Sequence, residues 1–152
     1  MAGFDSVDEI LEFAIAREIE ANEFYRFLAN CVENPAMGEL ILDFAAEELE
    51  HKAKLELELL KRGRVVTEPE NLADFDIANY KVDAGDYSHM DYPELLGLAI
   101  RKEDTAFRLY VVLAGMASDT ESQEVLMALA QEESRHKILF ETEYDEMARK
   151  HP

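Results

Sequence analysis

The chain has 152 residues, and 15 lysine and arginine residues against 34 aspartate and glutamate residues give a formal charge of -19. The length predicts one domain, and the excess acid argues against nucleic acid and membrane surfaces as partners, because both are polyanions. Cys31 is the single cysteine, which excludes an internal disulfide and favours the reducing cytoplasm. No signal peptide or membrane span is predicted.

Two helices are predicted in the first part of the chain. The first is expected over about 7–31, where Ser6 and Glu9 form a capping pattern and apolar residues follow with three-four spacing. The second is expected over about 35–62, after the restart at Asn34, and it repeats the same spacing. Each helix therefore has one apolar seam that can pack in a bundle.

A polar connection separates these helices from the rest of the chain. It covers residues 63–91, contains Pro69 and Gly85, and shows no sustained helical period. A connection of this length is unusual in a compact domain unless it has a structural role. We expect it to run along a helix bundle, because a bundle whose second and third helices are parallel needs one long crossover.

The remainder of the chain repeats the first part. A third helix is expected over about 92–117 and a fourth over about 120–148. A shift of 85 residues aligns positions 6–56 with 91–141 without a gap, and 16 of the 51 pairs are identical. The repeat indicates a duplicated helical hairpin, so we predict an all-α four-helix bundle, as a single domain over 1–152.

Ionisable residues interrupt the seam in the middle of every predicted helix. They are Glu18, Glu48, His51, Glu103, Glu133 and His136. Burying four unpaired carboxylates is costly unless they are protonated or hold a cation. Glu and His at i and i+3 share a helix face, so the set offers four carboxylates and two imidazoles, which suit iron or manganese. The alternative is that all six are surface charges, which requires the seam register to be wrong in all four helices.

The motifs around these residues resemble the rubrerythrin branch of the ferritin-like superfamily. They are Glu-x-x-Ala-x-x-x-Tyr in the first and third helices and Glu-Glu-x-x-His-Lys in the second and fourth, and the resemblance covers nearly the whole chain. It implies a ferritin-like bundle whose six seam residues bind two iron ions, with Glu48 and Glu133 as bridges; manganese or a mixed pair would suit the same ligands. It also implies that Tyr25 and Tyr110 donate hydrogen bonds to ligand carboxylates, and the alternative for both is an ordinary core aromatic.

Three features bear on what the resemblance implies. Ala106 stands where rubrerythrins carry an additional Glu, which leaves a six-ligand set similar to bacterioferritin-like centres. The four cysteines of a rubredoxin domain are absent from this sequence, so we expect a separate electron donor such as a rubredoxin-type protein. Glu47 and Glu132 point off the seam, and we expect a surface role for both, with iron entry as the alternative.

The resemblance implies a cytoplasmic di-iron oxidoreductase that reduces hydrogen peroxide or dioxygen in an oxidative-stress role. The four seam glutamates would act in catalysis through the metals, and the protein would be a homodimer. Two alternatives remain open: a ferroxidase that handles iron, and a metal-binding bundle without catalytic activity.

Overall fold

The computed structural model describes residues 6–62, 80 and 86–150. It contains four long helices, α1 (Val7–Cys31), α2 (Pro35–Arg62), α3 (Tyr92–Met116) and α4 (Thr120–Lys150). One turn of 3-10 helix at Tyr87–His89 precedes α3, and the described residues contain no strand. The prediction of an all-α four-helix protein is confirmed, although α3 ends one residue earlier and α4 two residues later than expected.

Each helix begins after a residue whose side chain accepts hydrogen bonds from the first turn. These residues are Ser6, Asn34, Asp91 and Asp119. Such acceptors satisfy backbone N–H groups that have no partner within the helix. At α3 the pattern is a complete capping box, because Glu94 also accepts a hydrogen bond from the backbone N–H of Asp91.

The directions of the helices follow from two apolar clusters at the two ends of the bundle. One cluster joins the start of α1, the end of α2, the end of α3 and the start of α4, and includes Leu11, Leu55, Leu113 and Leu126. The other joins the opposite helix ends and includes Leu28, Ile41, Leu96 and Phe140. Helices α1 and α4 therefore run in one direction, and α2 and α3 run in the other.

The parallel arrangement of α2 and α3 places the end of α2 and the start of α3 at opposite ends of the bundle. Most of the crossover predicted for 63–91 lies outside the described residues. Tyr80 is described, and its ring centroid lies 5.5 Å from the guanidinium carbon of Arg108 on α3. Just before α3, the Tyr87 ring packs against the Phe24 ring, with the two ring centroids 5.1 Å apart. None of the helices in the described ranges is both long enough and apolar enough to cross a membrane.

Candidate metal centre

A layer of ionisable side chains separates the two apolar clusters. All six seam residues are at most 1% exposed: Glu18, Glu48, His51, Glu103, Glu133 and His136. They lie near the middle of their helices, and each of the four helices contributes at least one of them. The predicted seam register is therefore right in all four helices, and the surface-charge alternative is wrong.

The potential ligand atoms form two overlapping groups, and within each group the atoms lie within 4.8 Å of one another. One group contains Glu18, Glu48, His51 and Glu133, and the other contains Glu48, Glu103, Glu133 and His136. Glu48 and Glu133 belong to both groups. A carboxylate that bridges two metal ions must occupy such a shared position, so the arrangement suits the bridging role, which stays a prediction.

Both histidines turn the same ring atom toward the carboxylates. His51 Nδ1 lies 2.7 Å from Glu133 Oε1, and His136 Nδ1 lies 3.1 Å from Glu48 Oε1. The two rings are nearly parallel, with an interplanar angle of 13° and centroids 6.4 Å apart. Each Nδ1 is therefore placed where it can be a metal ligand.

The opposite ring nitrogens contact Glu47 and Glu132, for which a surface role was expected. His136 Nε2 lies 2.8 Å from Glu47 Oε2, and His51 Nε2 pairs with Glu132 Oε2. The surface assignment is corrected, because each side chain reaches across between α2 and α4 although it is partly exposed. A carboxylate that accepts a hydrogen bond from one ring nitrogen leaves the other nitrogen free to bind a metal. The signal in the sequence was that Glu47 and Glu132 are an identical pair of the repeat, directly before the expected bridges.

The two buried tyrosines donate hydrogen bonds across the bundle. The Tyr25 hydroxyl on α1 donates to Glu103 on α3, and the Tyr110 hydroxyl on α3 donates to Glu18 on α1. Both rings are at most 1% exposed. The hydrogen bonds to carboxylates are present, and the sequence pattern did not indicate that each tyrosine pairs with the helix opposite its own. Their importance for a bound metal stays a prediction.

Burial dominates the electrostatics of the layer. It raises the pKa of Glu48 and Glu133 well above the usual value, and the surrounding carboxylates add to the effect. Burial alone would lower the pKa of His51, but the carboxylates of Glu18 and Glu132 outweigh it and raise that pKa. The layer therefore favours positive charge at its centre, which protons or metal ions can supply.

The chemistry of the donor set fits a pair of divalent ions. Within the described part of the chain, Glu18 Oε2, Glu48 Oε1 and Glu103 Oε2 are buried without a hydrogen-bond partner. Buried polar atoms are nearly always paired, so unpaired carboxylate oxygens gathered in one buried layer are typical of a cation site. Two divalent ions would neutralise the four buried carboxylates, and mixed oxygen and nitrogen ligands suit iron or manganese.

Comparison with known proteins agrees with this donor set. The rubrerythrin family model matches residues 9–81 and 94–151. The chain belongs to the rubrerythrin family. Its structure is similar to that of a hypothetical protein from Pyrococcus furiosus, with 28% identity, a TM-score of 0.72, and coverage of 93% of this chain and 89% of that one.

A conserved hypothetical protein from Mycobacterium tuberculosis shares the fold. It is 17% identical, with a TM-score of 0.65 and coverage of 91% of this chain and 98% of that one. No curated protein matches this chain. The family match confirms the ferritin-like four-helix bundle that the seam motifs implied.

A small pocket between α1 and α3 of this rubrerythrin-family chain reaches the layer of six buried ionisable residues described above. We call this layer the metal layer. The pocket has a volume of about 40 Å³, which is room for a molecule little larger than water. Its lining includes Glu18 and Glu103 and two pairs of residues that are equivalent in the repeat, Ala21 with Ala106 and Arg17 with Lys102. Ala106, which stands in place of the additional Glu of rubrerythrins, therefore lines open space beside the carboxylates.

Proposed function

We propose that this rubrerythrin-family protein is a di-iron oxidoreductase that reduces hydrogen peroxide or dioxygen to water. The observation that carries the proposal is the buried layer of four carboxylates and two imidazoles, in which oxygens of Glu18, Glu48 and Glu103 have no partner within the described residues. Two ferrous ions held by these ligands would supply one electron each, which together with two protons from solvent would reduce peroxide to two water molecules. Reduction of dioxygen to water takes four electrons, so the centre would have to be reduced again once. A separate reductant protein of the rubredoxin type would return the electrons.

The chain's own residues have three tasks in this proposal. Glu47 and Glu132 hold the two imidazoles with Nδ1 toward the carboxylates. The Tyr25 and Tyr110 hydroxyls hold one oxygen of Glu103 and of Glu18, so that the other oxygen of each carboxylate stays free. The apolar clusters on both sides of the layer exclude water from it.

The pocket between α1 and α3 supports a small substrate. Its volume of about 40 Å³ is sufficient for peroxide or dioxygen. The basic residues Arg17 and Lys102 line the pocket together with five glutamates, and Arg17 pairs with one of them, Glu20.

The decisive experiment is a peroxide titration of anaerobically loaded protein. We expect two ferrous ions per chain by metal analysis, and oxidation by one equivalent of peroxide in stopped flow that is much faster than oxidation by air. A ferrous spectrum that peroxide leaves unchanged would disprove the peroxidase activity. Metal analysis of the protein as purified also distinguishes iron from manganese.

Two histidine variants provide a matched comparison for this titration. His136→Ala removes a buried imidazole of the metal layer, and His89→Ala removes an exposed one from the 3-10 turn. We expect His136→Ala to lose one of the two metal ions and the rapid reaction, and His89→Ala to keep both. Equal losses in the two variants would mean that the layer is not the reactive site.

The second candidate is a ferroxidase, which the six-ligand set left by Ala106 favours. A ferroxidase that feeds iron storage requires a large hollow assembly with iron well above two atoms per chain. A small oligomer with two metal ions per chain would exclude it. If the bundle binds metal without catalysing a reaction, replacing Glu18 and Glu103 with alanine lowers the unfolding free energy of the metal-loaded protein. In that case the unmodified protein shows no turnover either.

A further inference from the structure

A row of contacting aromatic rings connects the surface of the bundle with the metal layer. The Tyr87 ring in the 3-10 turn is partly exposed, and its centroid lies 5.1 Å from that of the buried Phe24 ring. The Phe24 centroid lies 5.5 Å from that of Tyr25, whose hydroxyl donates a hydrogen bond to the candidate ligand Glu103. Centroid separations of this size are those of aromatic rings in contact. Two ring contacts therefore join the surface to a carboxylate of the layer.

The row continues from Tyr25 to a histidine of the layer. The Tyr25 and Phe140 centroids are 5.4 Å apart, and the Phe140 and Phe44 centroids are 5.5 Å apart. The Phe44 ring is stacked on the His136 ring, with centroids 4.0 Å apart. Glu103 and His136 belong to the same one of the two candidate ligand groups. The row therefore reaches one of the two metal positions from two sides.

The internal repeat shows that the bundle can be packed without these rings. Three phenylalanines of the row have buried leucines at the equivalent positions of the other hairpin: Leu109 for Phe24, Leu129 for Phe44 and Leu55 for Phe140. Tyr110 is the equivalent of Tyr25, and its hydroxyl donates to Glu18 in the same way. The two halves thus share the tyrosine hydrogen bond and differ in the rings beyond it, which points to a role for the rings other than packing.

The row connects groups that can exchange an electron. A tyrosine gives an electron to a strong oxidant when its phenolic proton moves to an acceptor, and Glu103 accepts the hydrogen bond of Tyr25. Electron transfer slows steeply as the gap between donor and acceptor widens. Phe24 fills the gap between Tyr25 and Tyr87 with a ring that contacts both. Tyr87 is partly exposed, so a reductant in solution can reach it.

We propose that this row supplies an electron to the metal layer when peroxide reaches a layer that holds one ferrous ion, an inference that rests on the proposed function. Reduction of peroxide to two water molecules takes two electrons and two protons, and the ferrous ion gives one electron. Tyr25 gives the second electron, and its proton moves to Glu103. Tyr87 then returns an electron to Tyr25 through Phe24. Tyr25 recovers its proton from Glu103, and the phenolic proton of Tyr87 passes to solvent.

The balance leaves one ferric ion and one tyrosyl radical at the surface. Solvent supplies two protons at the layer and receives one from Tyr87, so the reaction consumes one proton overall. A one-electron reductant in solution, such as ascorbate, restores Tyr87. The oxidising equivalent thus leaves the buried layer and does not remain beside the ligand carboxylates.

Two histidine variants separate the two metal positions for the test. His51→Ala removes an imidazole from the group that contains Glu18 and leaves the group at which the row ends, and His136→Ala does the opposite. Each variant is loaded with one ferrous ion per chain without oxygen, mixed with one equivalent of peroxide and frozen rapidly. By electron paramagnetic resonance we expect a tyrosyl radical in His51→Ala and a much weaker one in His136→Ala.

The unmodified protein gives the same test without a change of ligands. With one ferrous ion per chain it should give the tyrosyl signal, and with two it should give none, because the second ion supplies the missing electron. The optical spectrum of each sample reports oxidation of the iron. Iron that is oxidised without a tyrosyl signal overturns the electron route and leaves the proposed function standing. Iron that stays ferrous in every sample, the fully loaded protein included, overturns both.

A matched pair of tyrosine variants locates the radical. We expect a spin-trap adduct on Tyr87 by mass spectrometry, and its loss in Tyr87→Phe, which keeps the ring and removes the phenol. Tyr144 on α4 is 42% exposed, and Tyr144→Phe should leave the signal unchanged. Adducts spread equally over Tyr87 and Tyr144 would show unspecific oxidation and overturn the route.

A substitution in the middle of the row tests the passage between the tyrosines. Phe24→Leu introduces the residue that the repeat has at the equivalent position, Leu109, so the fold should persist by circular dichroism. We expect the yield of the Tyr87 adduct to fall severalfold, because the gap between Tyr25 and Tyr87 is no longer bridged by a ring. Oxidation of the iron should continue. An unchanged adduct yield in Phe24→Leu overturns the route.

Discussion

At the scale of single residues, the metal layer depends on which way two imidazoles point. Each ring has Nδ1 toward the ligand carboxylates and Nε2 toward a partly exposed glutamate, Glu132 for His51 and Glu47 for His136. A neutral imidazole has one N–H and one free nitrogen, and the hydrogen bond decides which is which. In the proposed centre the two outer glutamates, Glu47 and Glu132, would therefore orient the imidazoles for metal binding without lying among the candidate ligand groups.

The first prediction concerns these outer glutamates. Replacing Glu47 and Glu132 together with Ala should weaken metal binding by about 10- to 100-fold, the usual effect of removing a hydrogen-bond partner of a ligand imidazole. Competition with a chelator under anaerobic conditions measures the affinity. Glu124→Ala is the control, because Glu124 is exposed on α4 away from the histidines. Unchanged affinity in the double variant would show that the Nδ1 orientation does not depend on these carboxylates.

The second prediction concerns the tyrosine hydroxyls. Tyr110→Phe removes the donor to Glu18 and leaves a buried carboxylate oxygen without a partner, which should cost about 1–3 kcal/mol of unfolding free energy in the metal-free protein. Tyr25→Phe should have a similar effect through Glu103. Urea unfolding measures both.

Tyr92→Phe is the control for the tyrosine variants. Its hydroxyl donates to Glu143 at 2.7 Å, but Glu143 is only partly buried and water can replace the hydroxyl. We expect a smaller loss of stability and an unchanged metal affinity. A loss of unfolding free energy as large as that of Tyr110→Phe would mean that the two buried tyrosine–glutamate pairs stabilise the protein no more than a partly exposed pair does.

At the scale of whole helices, the internal repeat supplies a natural comparison between caps. Asn34 and Asp119 occupy equivalent positions and accept backbone hydrogen bonds at the start of α2 and α4. Hydrogen bonds from the backbone N–H and the hydroxyl of Ser122 hold the pKa of Asp119 below its usual value. The ionised cap is therefore stronger than a neutral one.

The third prediction follows from this difference in charge. Asp119→Asn should lower the midpoint of thermal unfolding at pH 7, and Asn34→Asp should raise it, because a negative charge is favourable at a helix N-terminus. The folded-state pKa of Asp119 is lowered, so its contribution is present above the usual pKa of Asp and disappears as the pH falls through the lowered value. Melting curves from pH 7 down to pH 3 should show the difference between the unmodified protein and Asp119→Asn shrinking on acidification. A difference that stays constant would show that the charge of Asp119 contributes nothing.

The helices were predictable from sequence because their signals are local and occur twice. The starts after Ser6, Asn34, Asp91 and Asp119 follow from capping chemistry, and the seam follows from the helical period. The repeat strengthened the prediction of the metal layer, because Glu-x-x-His at equivalent positions of two helices is far rarer than one such match. The end of α4 was harder to predict, because no residue near position 148 interrupts the helical pattern before Lys150.

Contacts between helices were harder to predict, because they depend on side-chain reach across the bundle. The helical period places Glu47 and Glu132 off their own seams, but long side chains let them contact a histidine on the other helix. In the same way Tyr25 lies on the helix of Glu18 and yet pairs with Glu103. The period of one helix gives the direction of a side chain and not its partner.

At the scale of the whole molecule, the metal layer concentrates charge where the bundle can least tolerate it. Four carboxylates from four helices meet between two apolar clusters, while the remaining acidic excess lies elsewhere on the chain. A metal that binds only the folded layer stabilises the entire bundle through the linkage between binding and folding. Without metal, the same carboxylates oppose folding.

The fourth prediction is that the order of stability of the unmodified protein and a double variant reverses when metal is removed. Removing metal should destabilise the unmodified protein by about 4 kcal/mol for each ion lost, relative to the state with free metal at a thousandfold excess over its dissociation constant. The variant with Glu48→Gln and Glu133→Gln loses the two carboxylates whose pKa burial and their neighbours raise most clearly. Its metal-free form should be more stable than the metal-free unmodified protein, because two buried charges are gone. With metal present the order should reverse, because the variant lacks both shared ligands.

Urea unfolding with and without ferrous iron or manganese, under anaerobic conditions, measures both orders. Glu141→Gln on the exposed surface of α4 should leave both stabilities unchanged. If the double variant is less stable than the unmodified protein in both states, Glu48 and Glu133 are held by interactions within the protein and the layer is a structural hydrogen-bond network. If the order reverses, the carboxylates are kept at the centre of the bundle at a cost in stability that only a bound metal offsets.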